Sequence, residues 1–546
     1  MRYTAALISL MTCFVMGACM PTREKADLII TNGVIYTADS LNSQTEAMAV
    51  RDGKILATGK SGGISAHYQA PQTIDLKGKS LFPGFIDAHC HFLGYALAMQ
   101  YVDLNGASSF EEVLARLQKQ GVVSGTKWLV GRGWDQNLWT SREFPDNEKL
   151  DKLFPHTPVM LIRVDGHVVL ANREALALAG IGTKYSFGDG QVAFRNGKMT
   201  GILSETAADL MRAAVPRPAG RALAALVEQA QQNCFAVGLT CVSDAGLEYS
   251  QVMEVDSLQK SGLLKMQVYA MLAPTTENLL RLVRKGTYVT ENLVVRSIKI
   301  YADGSLGSRT ARLKSPYTDD PSTSGIMVTS RDSVLQLCRL ALEHGYQVNT
   351  HCIGDSAASM ILNIYAALLK GKNDLRWRIE HAQVVDPADV HFFGDYSVIP
   401  SVQATHATSD MKWAGSRLGP CRVKGAYAYK TLMDQNGWIA NGTDFPIENI
   451  SPFLTFYAAV SRQDAAGFPA GGFQPENSLS RSEALHSITL WAARAGFLEK
   501  RKGSLEAGKD ADFVITDRDI MQVPVGHVPE TRVLSTYIKG LEVFKQ

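Results

Sequence analysis

No two cysteines of this chain form a Cys-x-x-Cys pair, and the six thiols beyond Cys19 are scattered singly from Cys90 to Cys421. That excludes a structural zinc ribbon and a small disulfide-stapled fold. Charge of one sign is also missing: 55 basic residues against 53 acidic ones leave +2, with no basic run and no aromatic-interleaved basic patch. A nucleic-acid surface is therefore not expected. No apolar run reaches the roughly 20 residues of a membrane-spanning helix, and no short repeat marks a solenoid. What is present is bulk. With 546 residues, 46% of them hydrophobic, the chain can bury a large core and form more than one structural unit.

The first residues, "MRYTAALISLMTCFVMGACM", combine Arg2, an apolar run from Ala5 to Met16 and small residues before Cys19. This pattern reads as a secretory signal. Its "MGAC" ending resembles a bacterial lipobox, which implies a signal peptide over 1–18 and lipidation of Cys19. Met20, in place of Asp, is the outer-membrane pattern; simple cleavage would leave the protein in the periplasm. The only membrane contact expected is this lipid anchor.

Both ends of the mature chain are β-rich. "ADLIITNGVIYTADS" and "AMAVRDGKILATGK" alternate apolar and polar residues around Asn32-Gly33 and Asp52-Gly53, which read as hairpin turns. "GSLEAGKDADFVITD" and "VLSTYIKGLEVFKQ" repeat the pattern at the C-terminus. The expectation is one β-sandwich built from 26–80 and 499–546.

Between them lie eight short apolar runs, most of them followed by a helix-like stretch: "LFPGFIDAHCH", "GLTCVSDAG", "KMQVYAML", "VVRSIKIYADG", "GYQVNTHCIGD", "WRIEHAQVV", "YSVIPSVQATH" and "GWIANGTDFPI". Strands alternating with helices pair in parallel, and eight such units predict an α/β chain with a (β/α)8, TIM-like barrel. Its first strand falls within 81–105 and the rest within 234–498. The interval 106–233 is too long for one crossover. With its helical "SFEEVLARLQKQG" and strand-like "KWLVGRGWD", "PVMLIRVDGHVVLAN" and "GQVAFRNGKMTG", it reads as a subdomain inserted over the barrel mouth, contributing to substrate choice or serving as packing or homo-oligomer surface.

Barrel chemistry sits at the C-terminal ends of the strands. The first strand ends in His89 and His91, which share a face at i and i+2 and can hold one metal. The fifth ends at His351, the sixth at His381 and the eighth at Asp444. Neutral imidazoles with a carboxylate suit Zn2+ and related divalent ions. In "RSIKIYADGS" of the fourth strand, Lys299 lies in an apolar stretch where an ammonium is costly. It is either paired with a carboxylate such as Asp303, or neutral and able to add CO2, giving a carbamate whose oxygens bridge two cations.

In this order and between two β-rich ends, "DAHCH", Lys299, His351, His381 and Asp444 resemble the amidohydrolase superfamily over nearly all the mature chain. "GRGWDQNLW", "RVDGHVVLAN", "KIYADGSLGSRTA", "HCIGD", "RIEHAQ" and "GTDFPI" are similar to its subgroup that includes N-substituted formamide deformylase. Ala404 in "SVQATH" departs from the subgroup's proline. The resemblance implies two metals, one held by His89, His91 and Asp444 and one by His351 and His381. Carboxylated Lys299 and a hydroxide would bridge them, with Asp444 carrying the proton to the leaving nitrogen.

It further implies hydrolysis of a small amide-like or formamide-like substrate. His167 and His406 are candidates to polarise its carbonyl or bind an acid group, and Arg309 with Asp303 to bind substrate. Trp134, Trp139 and Trp413 read as pocket or core, with core favoured. The alternatives are a mononuclear deaminase of the same superfamily and an inactive, surface-anchored binding protein that keeps the fold.

Overall fold

The computed structural model describes residues 23–123, 125–182 and 191–546. The signal segment and Cys19 lie outside the described residues. Eight parallel strands follow one another around a barrel: β1 (Phe85–Cys90), β2 (Leu239–Leu247), β3 (Gln267–Leu272), β4 (Leu293–Tyr301), β5 (Gln347–Cys352), β6 (Arg378–His381), β7 (Ile399–Val402) and β8 (Ala440–Asn441). Each of the eight apolar runs supplies one of them.

The ring is drawn together beyond the short β8. The backbone N–H of Asp444 donates to the His89 carbonyl at 2.8 Å, and that of His91 donates to the Phe445 carbonyl at 2.8 Å. Gly442 permits the approach, because a Cβ there would lie 2.5 Å from the His89 nitrogen.

Strand alternation sorts the side chains. Ile298 and Ile300 of β4 join the large apolar core beneath the outer helices, while Lys299 between them faces the barrel interior and reaches His89. At the opposite end of the barrel, Ile86, Ala88, Tyr269, Met271, Ile399 and Ala440 pack against Ala492, Ala493 and Ala495 of the helix Leu490–Ala495. An apolar floor therefore closes one end and leaves polar groups at the other.

Two sheets from the chain ends share a second apolar core that includes Leu28, Met48, Leu81, Phe513 and Tyr537. Four strands, 28–31, 47–51, 54–59 and 72–75, form one sheet; 34–36, 44–45, 80–83, 513–516, 533–538 and 541–545 form the other. Asp52-Gly53 is the expected hairpin turn. Asn32-Gly33 is not. It carries the chain from one sheet into the other, and a Cβ on Gly33 would lie 2.1 Å from Leu76 Cδ1. "LFPGFIDAHCH" likewise divides at Gly84: Ser80–Pro83 pairs with Phe513–Thr516, and the barrel strand starts at Phe85.

The insertion after β1 is a six-stranded sheet in the order 102–103, 129–134, 159–163, 168–171, 198–204, 192–195. Its boundaries differ from the expected 106–233. The first strand begins earlier, and the helix Gly220–Ala236 belongs to the barrel, burying Leu223, Val227 and Phe235 in the main core.

Candidate metal centre and its cavity

Four imidazoles converge at the open end of the barrel. Ring centroids of His89 and His381 are 4.9 Å apart, those of His381 and His351 4.6 Å, and those of His89 and His91 5.8 Å. Each ring has one nitrogen engaged by an acceptor. Nδ1 of His91 donates to the Ala245 carbonyl at 3.0 Å, Nε2 of His351 to the Gly304 carbonyl at 3.0 Å, and Nδ1 of His381 to Gln403 Oε1 at 2.7 Å. Nδ1 of His89 meets Glu380 Oε2 at 2.5 Å. A carbonyl can only accept, so these contacts fix the tautomers and leave the opposite nitrogen of each ring with a lone pair. That is the arrangement by which metal-binding histidines are held.

Asp444 completes the set. Its Oδ1 lies 3.2 Å from His91 Nε2 and 3.6 Å from His89 Nε2, and it is buried with no hydrogen bond. Burial alone would raise this carboxyl; positive charge beside it, on protonated rings of His91, His89 and His381 or on a cation held by their lone pairs, keeps it well below the usual carboxylate range. Among the described residues two donor groups are close enough to take an ion, His89–His91–Asp444 and His381–His406–Asp444. The orphaned oxygen and the fixed lone pairs fit a divalent cation. His351 stands beside the second group rather than within it, against the His381 ring.

Lys299 is fully buried, and its Nζ is 3.0 Å from His89 Nε2. Burial pushes its pKa down to about 8. Its neighbour is therefore an imidazole rather than Asp303. Asp303 instead accepts the backbone N–H groups of Arg312, Ile353 and Gly354 at 2.8, 3.0 and 2.8 Å. Arg309 pairs with Asp319 through Nε and Nη2 at 3.2 and 3.1 Å. Neither Arg309 nor Asp303 lines the cavity over the centre, so the structure does not bring these two substrate-binding candidates to it.

That cavity, of about 720 Å3, is walled by barrel and insertion together. The insertion contributes Asp135, Arg163, Asp165 and His167. His167 Nδ1 meets Glu205 Oε2 at 2.9 Å; burial works against its charge, but Glu205 and Asp165 raise its pKa to about 9. His406 Nε2 is buried without a hydrogen bond, 3.8 Å from Asp444 Oδ2. Ala404 takes the first position of the helix Ala404–Asp410, and its backbone N–H, which a proline would lack, donates to Asn441 Oδ1 at 3.1 Å. Trp134 and Trp139 stack in the core of the insertion, while Trp413 lines the cavity.

Glu380 and Asp87 were not singled out from sequence. Glu380 sits between Arg378 and His381 in β6. Asp87 accepts the Thr443 N–H and hydroxyl and the His89 N–H, joining the ends of β1 and β8. Their signal was a carboxylate inside a strand that is otherwise buried.

A family model described as the amidohydrolase family matches residues 72–544. The chain belongs to the amidohydrolase family. Protein LONG AFTER FAR-RED 3 of Arabidopsis thaliana is 33% identical over 96% of this chain and 92% of its own length. N-substituted formamide deformylase of Arthrobacter pascens is 26% identical over 95% and 98%. The crystal structure of a metal-dependent hydrolase from Pyrococcus horikoshii superposes with a TM-score of 0.75 at 30% identity, covering 92% of this chain and 99% of that one. As an amidohydrolase, this chain is a metal-dependent hydrolase on a TIM-like barrel.

Proposed function

We propose that this amidohydrolase cleaves a non-peptide carbon–nitrogen bond in a small amide-like or formamide-like molecule. The observation that carries the reading is the set of four tautomer-fixed imidazoles around the unpartnered Oδ1 of Asp444. Likeness to a formamide deformylase supports the bond type. In this reading His89, His91 and Asp444 hold one ion and His351 and His381 a second, both expected to be Zn2+. Lys299, whose pKa near 8 favours its neutral amine, would add CO2 to give a carbamate that could serve both ions. Bound divalent ions supply Lewis acidity and lower the pKa of a water toward about 7.

The chain's own residues do the rest. Asp444 takes the proton of the attacking water and delivers it to the leaving nitrogen, a role open to a carboxylate kept ionised. His167, held cationic by Glu205, and His406, with Nε2 free, face the cavity where a carbonyl oxygen gathers charge. Export and lipid anchoring through Cys19 belong to the same proposal, as does a small-molecule partner rather than nucleic acid.

The deciding experiment is metal content per chain, on protein beginning after Cys19 and produced with added zinc and bicarbonate, together with turnover of N-formyl amines and simple amides. Two equivalents that fall on Lys299→Ala, with hydrolysis of these substrates, support the proposal. The His89–His91–Asp444 group is complete without Lys299. One equivalent indifferent to Lys299→Ala, with deamination of nucleobases, would therefore establish the mononuclear deaminase instead. No metal and no turnover would leave a binding protein.

A further inference from the structure

Beside the cavity over the metal centre lies a second one of about 670 Å3, and the two share His91, His167 and Tyr301 among their walls. Most charges around the second cavity are already matched. Glu205 pairs with His167, Asp209 with Arg212, and Arg217 with Glu254 beyond the wall. Asp165 pairs with Arg163 and accepts the hydroxyls of Ser305 and Ser308. Glu248 caps the helix Tyr249–Lys260.

Arg132 is the exception. Among the described residues its side chain makes no hydrogen bond and no ion pair, and its Nη2 is buried. The guanidinium lies over Gly166, where an added Cβ would be 3.8 and 3.9 Å from Nη2 and Nη1. Burial and the nearby Arg212 lower its pKa to about 10, which leaves it charged at neutral pH.

A guanidinium facing a cavity with no direct partner, Asp444 and Asp165 acting on it only from a distance, is costly. It is also an open planar fork, the geometry that receives a carboxylate through two parallel hydrogen bonds. A dianionic phosphate would need a second unpaired cation, and Arg212 and Arg217 are both engaged. Leu97, Met160, Val215 and Ile447 give the remaining wall an apolar face.

We infer that Arg132 binds a carboxylate on the substrate, so that this site acts on amides carrying an acid arm and an apolar group. The inference rests on the hydrolytic reading for its substrate class, but the binding of the acid can be read without turnover.

Two measurements test it on the zinc-loaded full chain after Cys19. Turnover of N-formylphenylalanine is compared with N-formylphenethylamine, and calorimetric binding of 4-phenylbutanoate with 4-phenylbutanol. The acids are expected to be favoured by about a hundredfold, and Arg132→Gln to abolish that preference while leaving the neutral partners within about threefold. If Arg132→Gln does not fold, Arg132→Lys replaces it. The lysine keeps the charge and loses the fork, so acid binding should fall about tenfold, and unchanged binding overturns the inference.

Acid and neutral compounds treated alike, or weakened alike by Arg132→Gln, also overturn it. Arg132-dependent binding of 4-phenylbutanoate with no turnover of either formamide supports the acid site and defeats the hydrolytic reading.

Discussion

Glu380 Oε2 and His89 Nδ1, from strands β6 and β1 on opposite sides of the barrel, meet at 2.5 Å with both side chains fully buried. The contact sets which nitrogen of His89 faces the centre. Burial would raise the carboxyl, but His89, Arg378 and Lys299 hold it down to about 2, so the acceptor stays ionised. Glu380→Gln keeps the shape and weakens the acceptor. Metal affinity, measured by competition with a chromogenic chelator, is expected to fall about 10- to 100-fold.

Asp444→Asn separates holding from proton transfer. The amide oxygen still occupies the place of Oδ1 beside His91, so most of the bound metal should remain by elemental analysis. It cannot take a proton, and kcat is expected to fall by about 10²- to 10⁴-fold. Near-wild-type kcat would remove Asp444 from the shuttle.

Gly442→Ala tests the closing of the barrel. The new methyl must displace the His89 backbone or the Asp87 carboxylate, both under 3 Å from it. Overpacking of this kind costs about 1–3 kcal/mol. The denaturant midpoint should drop, and metal affinity should fall with it because the same backbone carries a ligand. A drop in stability alone would separate ring closure from ligand placement.

The Arg163–Asp165 pair makes stability depend on acid. Burial raises the Asp165 carboxyl, yet Arg163, His167 and the serine hydroxyls bring it down to about 2. An unfolded aspartate titrates near 3.9. A depressed folded value stabilises above the unfolded one, so the contribution is complete above about pH 4 and is lost as the pH falls toward 2. It amounts to roughly 2 kcal/mol. Urea midpoints of the wild type and Asp165→Asn, each measured at pH 3 and pH 6, should differ less at pH 3.

The barrel was legible because short apolar runs ended in residues with chemistry. His89, His91, His351, His381 and Asp444 each stood at the end of such a run, where the fold puts its site. Glu380 was harder to see, because a carboxylate between Arg378 and His381 fits either strand face until the neighbouring strands are in place. Arg132 was quoted within "GRGWD" but carried no local signal; its lack of a partner depends on where the insertion sits over the barrel. Asn32-Gly33 satisfied the turn chemistry of a hairpin, yet turn chemistry does not say which sheet the next strand will join.

Ser80–Pro83 runs directly into the first ligand-bearing strand and is paired along one edge by Phe513–Thr516. During synthesis the early segment therefore waits for nearly the whole polypeptide before that partner emerges. Such a distant pairing is slow to form and leaves an apolar strand edge uncovered meanwhile. Ordering of the approach to the centre is thus tied to completion of the chain: a ribosome that stops short of residue 513 releases a product in which Ser80–Pro83, the segment leading into His89 and His91, lacks one of its two strand neighbours.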